Sequence, residues 1–210
     1  MSDVTARKET NKVELRGVIE KEFELNHEVF GQEFYYTRLS TVRYSGTEDF
    51  VPIIVPRNLL KEIKGLEGKV ANVEGQCRTY NKLGDDGKTH LIVYVFVKNI
   101  TFEERDYLEI YENSNFIFLE GYLCKLPIYR KTPLGREIAE IILAVNRKNA
   151  KSDYIPCISW GRNARYISGL EVGDKIDIWG RIQSREYLKE KDMEESEMKT
   201  AYEVSIAKVE

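Results

Sequence analysis

The chain has 210 residues, 42% hydrophobic and 32% charged, with a net charge of −3. That composition belongs to a folded soluble protein of one large domain or two of about 100 residues, and excludes a disordered segment. No stretch approaches the ~20 apolar residues that cross a bilayer, and the opening MSDVTARKETNK lacks the apolar core of a signal peptide.

In chain order, residues 1–11 read as a mobile N-terminal tail. A first long strand follows at VELRGVI (13–19), then a second strand, a short third strand and a short helical stretch, PRNLLKEIKG (56–65). A Gly-Lys turn at Gly68 leads into a fourth strand, and the loop NKLGDDGKTH (81–90) into a fifth, HLIVYVFVKNI. Residues 103–114 are acidic, lack Pro and Gly, and read as a structured connector. The same order then returns: IFLEGYL (117–123), two further strands, GRNARYISG (161–169), a fourth strand, the loop LKEKDMEESEMKT (188–200) and AYEVSIAKV.

The return is a repeat. Gly17 and Gly121 lie 104 residues apart, as do Gly31 and Gly135, Arg43 and Arg147, Asp49 and Asp153, and Pro52 and Pro156. Gly68 and Gly173 are 105 apart, so one residue has been inserted. Five strands with a helix after the third is the layout of the OB-fold, a small barrel. The sequence therefore predicts an all-β protein of two tandem five-stranded OB barrels, each with a short helix after strand 3, at 12–102 and 115–210. Gly75 and Gly180 fit the sharp coiling of a closed barrel.

The second copy resembles the single-stranded DNA-binding protein family. The resemblance rests on LEGYLCKLPIYRKTPLGREIAEIILAVNR (119–147), DYIPCISWGRNA (153–164), GDKIDIWGRIQSREY (173–187) and YEVSIAKVE (202–210); the first copy matches more loosely over 12–102. It implies an OB barrel that binds single-stranded DNA with little sequence preference, in replication, recombination or repair, with four OB domains working together.

Binding of this kind needs flat rings for base stacking and cations for the backbone. The candidate rings of the second copy are Tyr154, Trp160 and Tyr187, and the candidate cations Arg130, Lys131, Arg136, Arg147, Arg162, Arg181 and Arg185. Tyr154 and Trp160 have one parity and so share a strand face, and Asp153 marks a surface position beside them. From the first copy only Arg43, Phe50, Arg78 and Tyr80 carry over, because Val55-Pro56 stands where the second copy has Trp160-Gly161. The charge follows the better match: residues 113–187 hold twelve Lys/Arg against eight Asp/Glu, whereas residues 1–102 balance at fifteen each.

Cys77, Cys124 and Cys157 contain no CxxC pair and read as reduced apolar fillers; His27 and His90 fit no metal-ligand spacing. No P-loop, GxGxxG or GxSxG occurs, so no cofactor is expected and an enzyme has little to stand on. A nuclease would have to use Asp85, Asp86 or the Glu-rich loop, all of which read as loop tips. The competing reading is an OB-fold accessory protein, primosome-like or from a mobile element, acting through protein contacts. The expected partners are single-stranded DNA and a second copy, in a homodimer of four OB domains favoured by the open strand edges of small barrels. The expected location is the cytoplasm, with the nucleoid. The chain stops at Glu210, without the acidic recruiting tail common in the family, so recruitment of replication and repair proteins through such a tail is not expected.

Overall fold

The computed structural model describes residues 9–84, 87–103, 114–192 and 195–210. Alternating side chains make the strands. In β1 (Asn11–Ile19), Val13, Leu15, Gly17 and Ile19 are buried while Glu14, Arg16 and Val18 between them face outward. The first barrel continues with β2 (Glu24–Val29), β3 (Gln32–Val42), β4 (Glu48–Pro56), β5 (Val70–Leu83) and β6 (Thr89–Glu103). The second contains β7 (Asn115–Leu123), β8 (Ile128–Lys131), β9 (Glu137–Asn146), β10 (Ser152–Trp160), the helix α1 (Gly161–Ile167), β11 (Lys175–Asp192) and β12 (Glu195–Val209).

Each barrel closes in the same way. In the first, β1 pairs with β5, β5 with β6, β6 runs parallel to β4, β4 pairs with β3, and β3 returns to β1 with Ser40 opposite Val18. In the second, β7, β11, β12, β10 and β9 make the same circuit, with Ala144 opposite Tyr122 at the closure. Closing so small a barrel requires sharp bends. β5 and β11 bend at bulges between Glu74 and Gly75 and between Trp179 and Gly180. A Cβ on Gly180 would lie 2.1 Å from the carbonyl oxygen of Ser205, and one on Gly75 2.4 Å from that of Phe96. Backbone approaches backbone there, and only glycine fits.

The two copies differ after the third strand. The second has a seven-residue helix that buries Ala164 and Ile167. The first has only a 3-10 turn at Arg57–Leu59, so the short helix expected there is reduced to one turn. Leu60 and Leu66 are buried and Ile63 packs against the core from an irregular path. Gly65 and Gly68, both at positive φ, steer that path away from helix.

β1 and β7 pair antiparallel, from Asn11 opposite Leu119 to Leu15 opposite Asn115. One sheet therefore runs through both barrels, in the order β2-β3-β4-β6-β5-β1-β7-β11-β12-β10-β9-β8. Two of the strand edges open to a second copy, those of β1 and β7, are thus spent on each other within the chain. Residues 9–11, assigned to the tail, are held: Glu9 pairs with Lys98 at 2.7 Å and the Thr10 carbonyl accepts from the Glu120 amide. Residues 1–8, the connector residues 104–113, and Asp85 and Asp86 lie outside the described residues.

Cys77 and Cys157 are buried and Cys124 half-buried, all as free thiols. Burial pushes the Cys77 and Cys157 thiols well above their ordinary range, so they stay protonated at neutral pH. Among the described residues no helix is long and apolar enough to cross a membrane, and no group of three or more His, Cys, Asp or Glu could hold a metal ion.

Candidate nucleic-acid interface

Two fully buried aspartates organise the boundary between the barrels. Asp153, in β10, receives both Nε and Nη2 of Arg147, with Nε–Oδ2 at 2.8 Å. It also receives Arg78 Nη1 at 2.9 Å and the Thr79 amide at 2.7 Å, both from β5 of the other barrel. Asp49 repeats the arrangement from the first barrel. Arg43 donates to it twice at 2.6 Å, and the Ser184 amide of β11 donates at 2.8 Å. Two asparagines copy each other likewise: Asn11 bonds both backbone groups of Cys77, and Asn115 those of Ile182. These bonds fix the true register of the repeat, in which Thr79 matches Ser184 and Tyr80 matches Arg185.

Asp153 is thus no surface marker, and the candidate cations Arg43, Arg78 and Arg147 have another occupation. Their guanidinium groups neutralise buried carboxylates, and those of Arg78 and Arg147 also lock barrel to barrel. Arg181 is half-buried in a groove of about 570 Å³ beside Arg43. Burial, with Arg43 adding to it, holds the Arg181 guanidinium below its ordinary pKa, and its Nη2 reaches Gln183 at 3.3 Å.

The lock sets where the rings lie. The Tyr154 amide donates to Thr79 Oγ1 at 3.0 Å, which brings Tyr154 against β5 beside Tyr80. The Phe50 amide donates to Ser184 Oγ at 3.2 Å, beside Arg185. Each barrel therefore lays its ring against the long hairpin of the other. Tyr80 and Tyr94 add an edge-on pair with centroids 5.8 Å apart.

On the outer face of the second barrel, register lines the side chains into rows. Tyr122 and Tyr154 both lie opposite Ala144, so the row Tyr122–Ala144–Tyr154 crosses β7, β9 and β10. Tyr122 is 42% and Tyr154 50% exposed, about 10 Å apart across two strand spacings with a methyl group as the floor between them. A second row, Arg130–Ile138–Trp160, crosses β8, β9 and β10, with Trp160 41% exposed. Arg130 pairs with Glu140 at 2.5 Å, Arg162 is exposed on the first turn of α1, and Lys131 and Arg136 are exposed around the β8–β9 turn. Arg185 and Tyr187 are exposed farther along β11. Tyr122 was missed in the sequence because it lies in a different strand from Trp160 and Tyr154; only the closure of β7 on β9 brings it into their face.

The first barrel departs from this pattern. Its matching row is Val18–Ser40–Phe50, with valine in place of Tyr122. Phe50 is half-buried, with the Arg38 guanidinium 5.4 Å from its ring centre, and Pro56, at the Trp160 position, is buried.

A family model described as the Single-strand binding protein family matches residues 114–210. Single-stranded DNA-binding protein B of Bacillus subtilis is 38% identical over 80 residues, which are 35% of this chain and 71% of that protein. The chain belongs to the single-stranded DNA-binding protein family. Single-stranded DNA-binding protein A of Bacillus subtilis is 36% identical over 80 residues, 35% of this chain and 46% of that protein. The chain spans about half the length of that relative and of relatives from Listeria innocua and Staphylococcus aureus, at 50% and 48%. The crystal structure of the wild-type single-stranded DNA binding protein from Thermus aquaticus superposes with a TM-score of 0.72 at 20% identity, covering 95% of this chain and 91% of that one. That likeness extends over both barrels and shows the tandem OB-fold. Membership in the single-stranded DNA-binding protein family accords with the ring rows of the second barrel, the part the family model spans.

Proposed function

We propose that the chain binds single-stranded DNA with little sequence preference and protects it during replication, recombination or repair. One observation carries this reading: Tyr122, Tyr154 and Trp160 stand exposed on one barrel face that ends in a cationic turn. Rings take any base by stacking, and Arg136, Arg162 and Arg185 serve the phosphates, with Arg130 and Lys131 beside them on the β8 edge. No catalytic step is involved. The test is titration of the full chain with poly-dT followed by tryptophan fluorescence at two salt concentrations. Quenching and submicromolar binding that weakens with salt is the expected outcome, and Arg185→Ala lowers the salt slope by about 0.7. Absence of binding at low salt defeats the reading.

The working unit in this proposal is a homodimer with four OB domains. With β1 and β7 already paired, the second copy packs on the face of the sheet. That face carries Phe118 and Trp179, 5.1 Å apart, with Lys208 over the Trp179 ring. Light scattering at micromolar concentration is expected to give twice the chain mass. A monomer with full affinity for DNA overturns the dimer and leaves DNA binding standing.

A further inference from the structure

The two strands at the ends of the sheet order, β2 and β8, are each hydrogen-bonded on one side only. They are the same hairpin of the repeat, but their charges are opposite. Residues 20–36 contain five acidic residues and one basic, whereas residues 124–140, at the same offset, contain four basic and two acidic. All six residues of β2 and all four of β8 are exposed, including Leu25 and Val29 on one and Ile128 on the other. At the hairpin tips Phe30 and Leu134 are also exposed, and Phe30 holds the left-handed φ of 49° that bulky residues avoid. The acidic hairpin is thus unsuited to a phosphate backbone, and it also exposes Leu25, Val29 and Phe30 to solvent.

An open edge invites another strand. Here charge decides which one. Two β2 edges set Glu24 and Glu28 against their like, and two β8 edges do the same with Arg130 and Lys131. β2 against β8 matches sign with sign and covers Leu25, Val29 and Ile128. Within a chain β2 and β8 do not pair, since β3, β1, β7 and β9 lie between them through the barrel closures, so the match requires another molecule. We propose that β2 of one copy pairs with β8 of a second copy, in a head-to-tail contact that repeats along an array. The ion pairs it replaces, Lys21–Glu24 and Arg130–Glu140, are surface pairs that contribute little. Because the two joined edges differ, the contact is head-to-tail, and it extends where its rotation does not close a ring. Strands of four and six residues bury too little for a stable complex in dilute solution. Copies held on one DNA strand meet at effective concentrations on the order of millimolar, where such a contact forms. This last consequence rests on the DNA-binding reading; the contact itself does not.

The test uses the full chain carrying Leu25→Cys and Ile128→Cys, treated at high protein concentration, without DNA, with a short thiol cross-linker. The parent chain, with its own three cysteines, is the control. A ladder of multimers is expected at low salt and is lost at high salt. Adding Glu24→Lys with Glu28→Lys, or Arg130→Glu with Lys131→Glu, abolishes the ladder, and an equimolar mixture of the two reversed chains restores it. Thermal melts confirm folding, and Glu24→Gln with Glu28→Gln serves if the reversal fails to fold. Ladders that survive either reversal, a mixture that stays unlinked, or a dimer from Leu25→Cys alone overturn the proposal. In a second arm, the ratio of affinity for long poly-dT to that for a one-site oligonucleotide falls about tenfold on reversal of Glu24 and Glu28. If the unmodified chain does not bind the one-site oligonucleotide, the DNA-binding reading fails, and the cross-linking arm still decides the contact.

Discussion

Asp153→Ala is expected to destabilise the chain by about 3–5 kcal/mol, the cost of removing one partner from a buried charge pair. The carboxylate has no access to solvent and holds Arg147 from its own barrel, and Arg78 and the Thr79 amide from the other. Its removal strands two partly buried guanidinium groups and one amide. In a chain of this length each kcal/mol lowers the melting temperature by roughly 2–4 °C, so the drop is large enough to read directly. Asp153→Asn keeps the shape and some of the hydrogen bonds but loses the charge, so it falls between the wild type and alanine. Urea unfolding of the three chains makes the measurement. A cost under about 1 kcal/mol, typical of exposed pairs, means that water already satisfies these groups and that the barrels are not held by this lock. A chain destabilised in this way but still folded keeps Tyr122 and Trp160 in place while loosening Tyr154 against Thr79.

The same lock shows what sequence can and cannot reveal. The offset of 104 exposed the tandem copies, and period-two alternation located the strands. Parity placed Tyr154 and Trp160 on one outer face, where both are found exposed. The repeat of Arg43 with Arg147 and of Asp49 with Asp153 is equally visible, but residue type alone makes the arginines cations for a ligand and the aspartate a surface acid. An ion pair within a barrel, repeated at the same place in the other, is what a pseudo-symmetric interface demands. The partner groups, the Thr79 and Ser184 amides, are backbone and leave no side-chain signature. The helix expected in the first copy is reduced to one turn for a local reason: the turns at Gly65 and Gly68, both at positive φ, decide the path. Tyr122 and the open edges β2 and β8 depend on which strands close each barrel. A single sequence states the order of strands along the chain but not which one is left without a neighbour.

The double substitution Tyr154→Ala with Trp160→Ala is expected to weaken poly-dT binding by between about thirtyfold and about 25,000-fold at fixed salt, since each stacked base contributes roughly 1–3 kcal/mol. Both rings stand on the outer face of β10, about six residues or 20 Å apart, too far to grip one base. They therefore act on different nucleotides, and their losses should add. Tyr154 has Tyr122 across Ala144, so its single substitution leaves one wall of that site standing. Trp160 has Arg130 across Ile138, so its loss removes the only ring of its row. Phe50→Ala is the internal comparison. Its ring is half-buried under Arg38, its row has Val18 where the other has Tyr122, and buried Pro56 stands at the Trp160 position. A base has little ring surface to reach there, so Phe50→Ala costs much less than either tyrosine or tryptophan loss. Fluorescence titration serves for Phe50→Ala and Tyr154→Ala. Competition against a labelled oligonucleotide serves where Trp160 is removed, because the reporter goes with it. Melting curves first establish that each chain is folded. Equal losses from Phe50→Ala and Trp160→Ala would mean that the strand lies across both barrels alike, and that the Arg38 guanidinium swings away to admit a base.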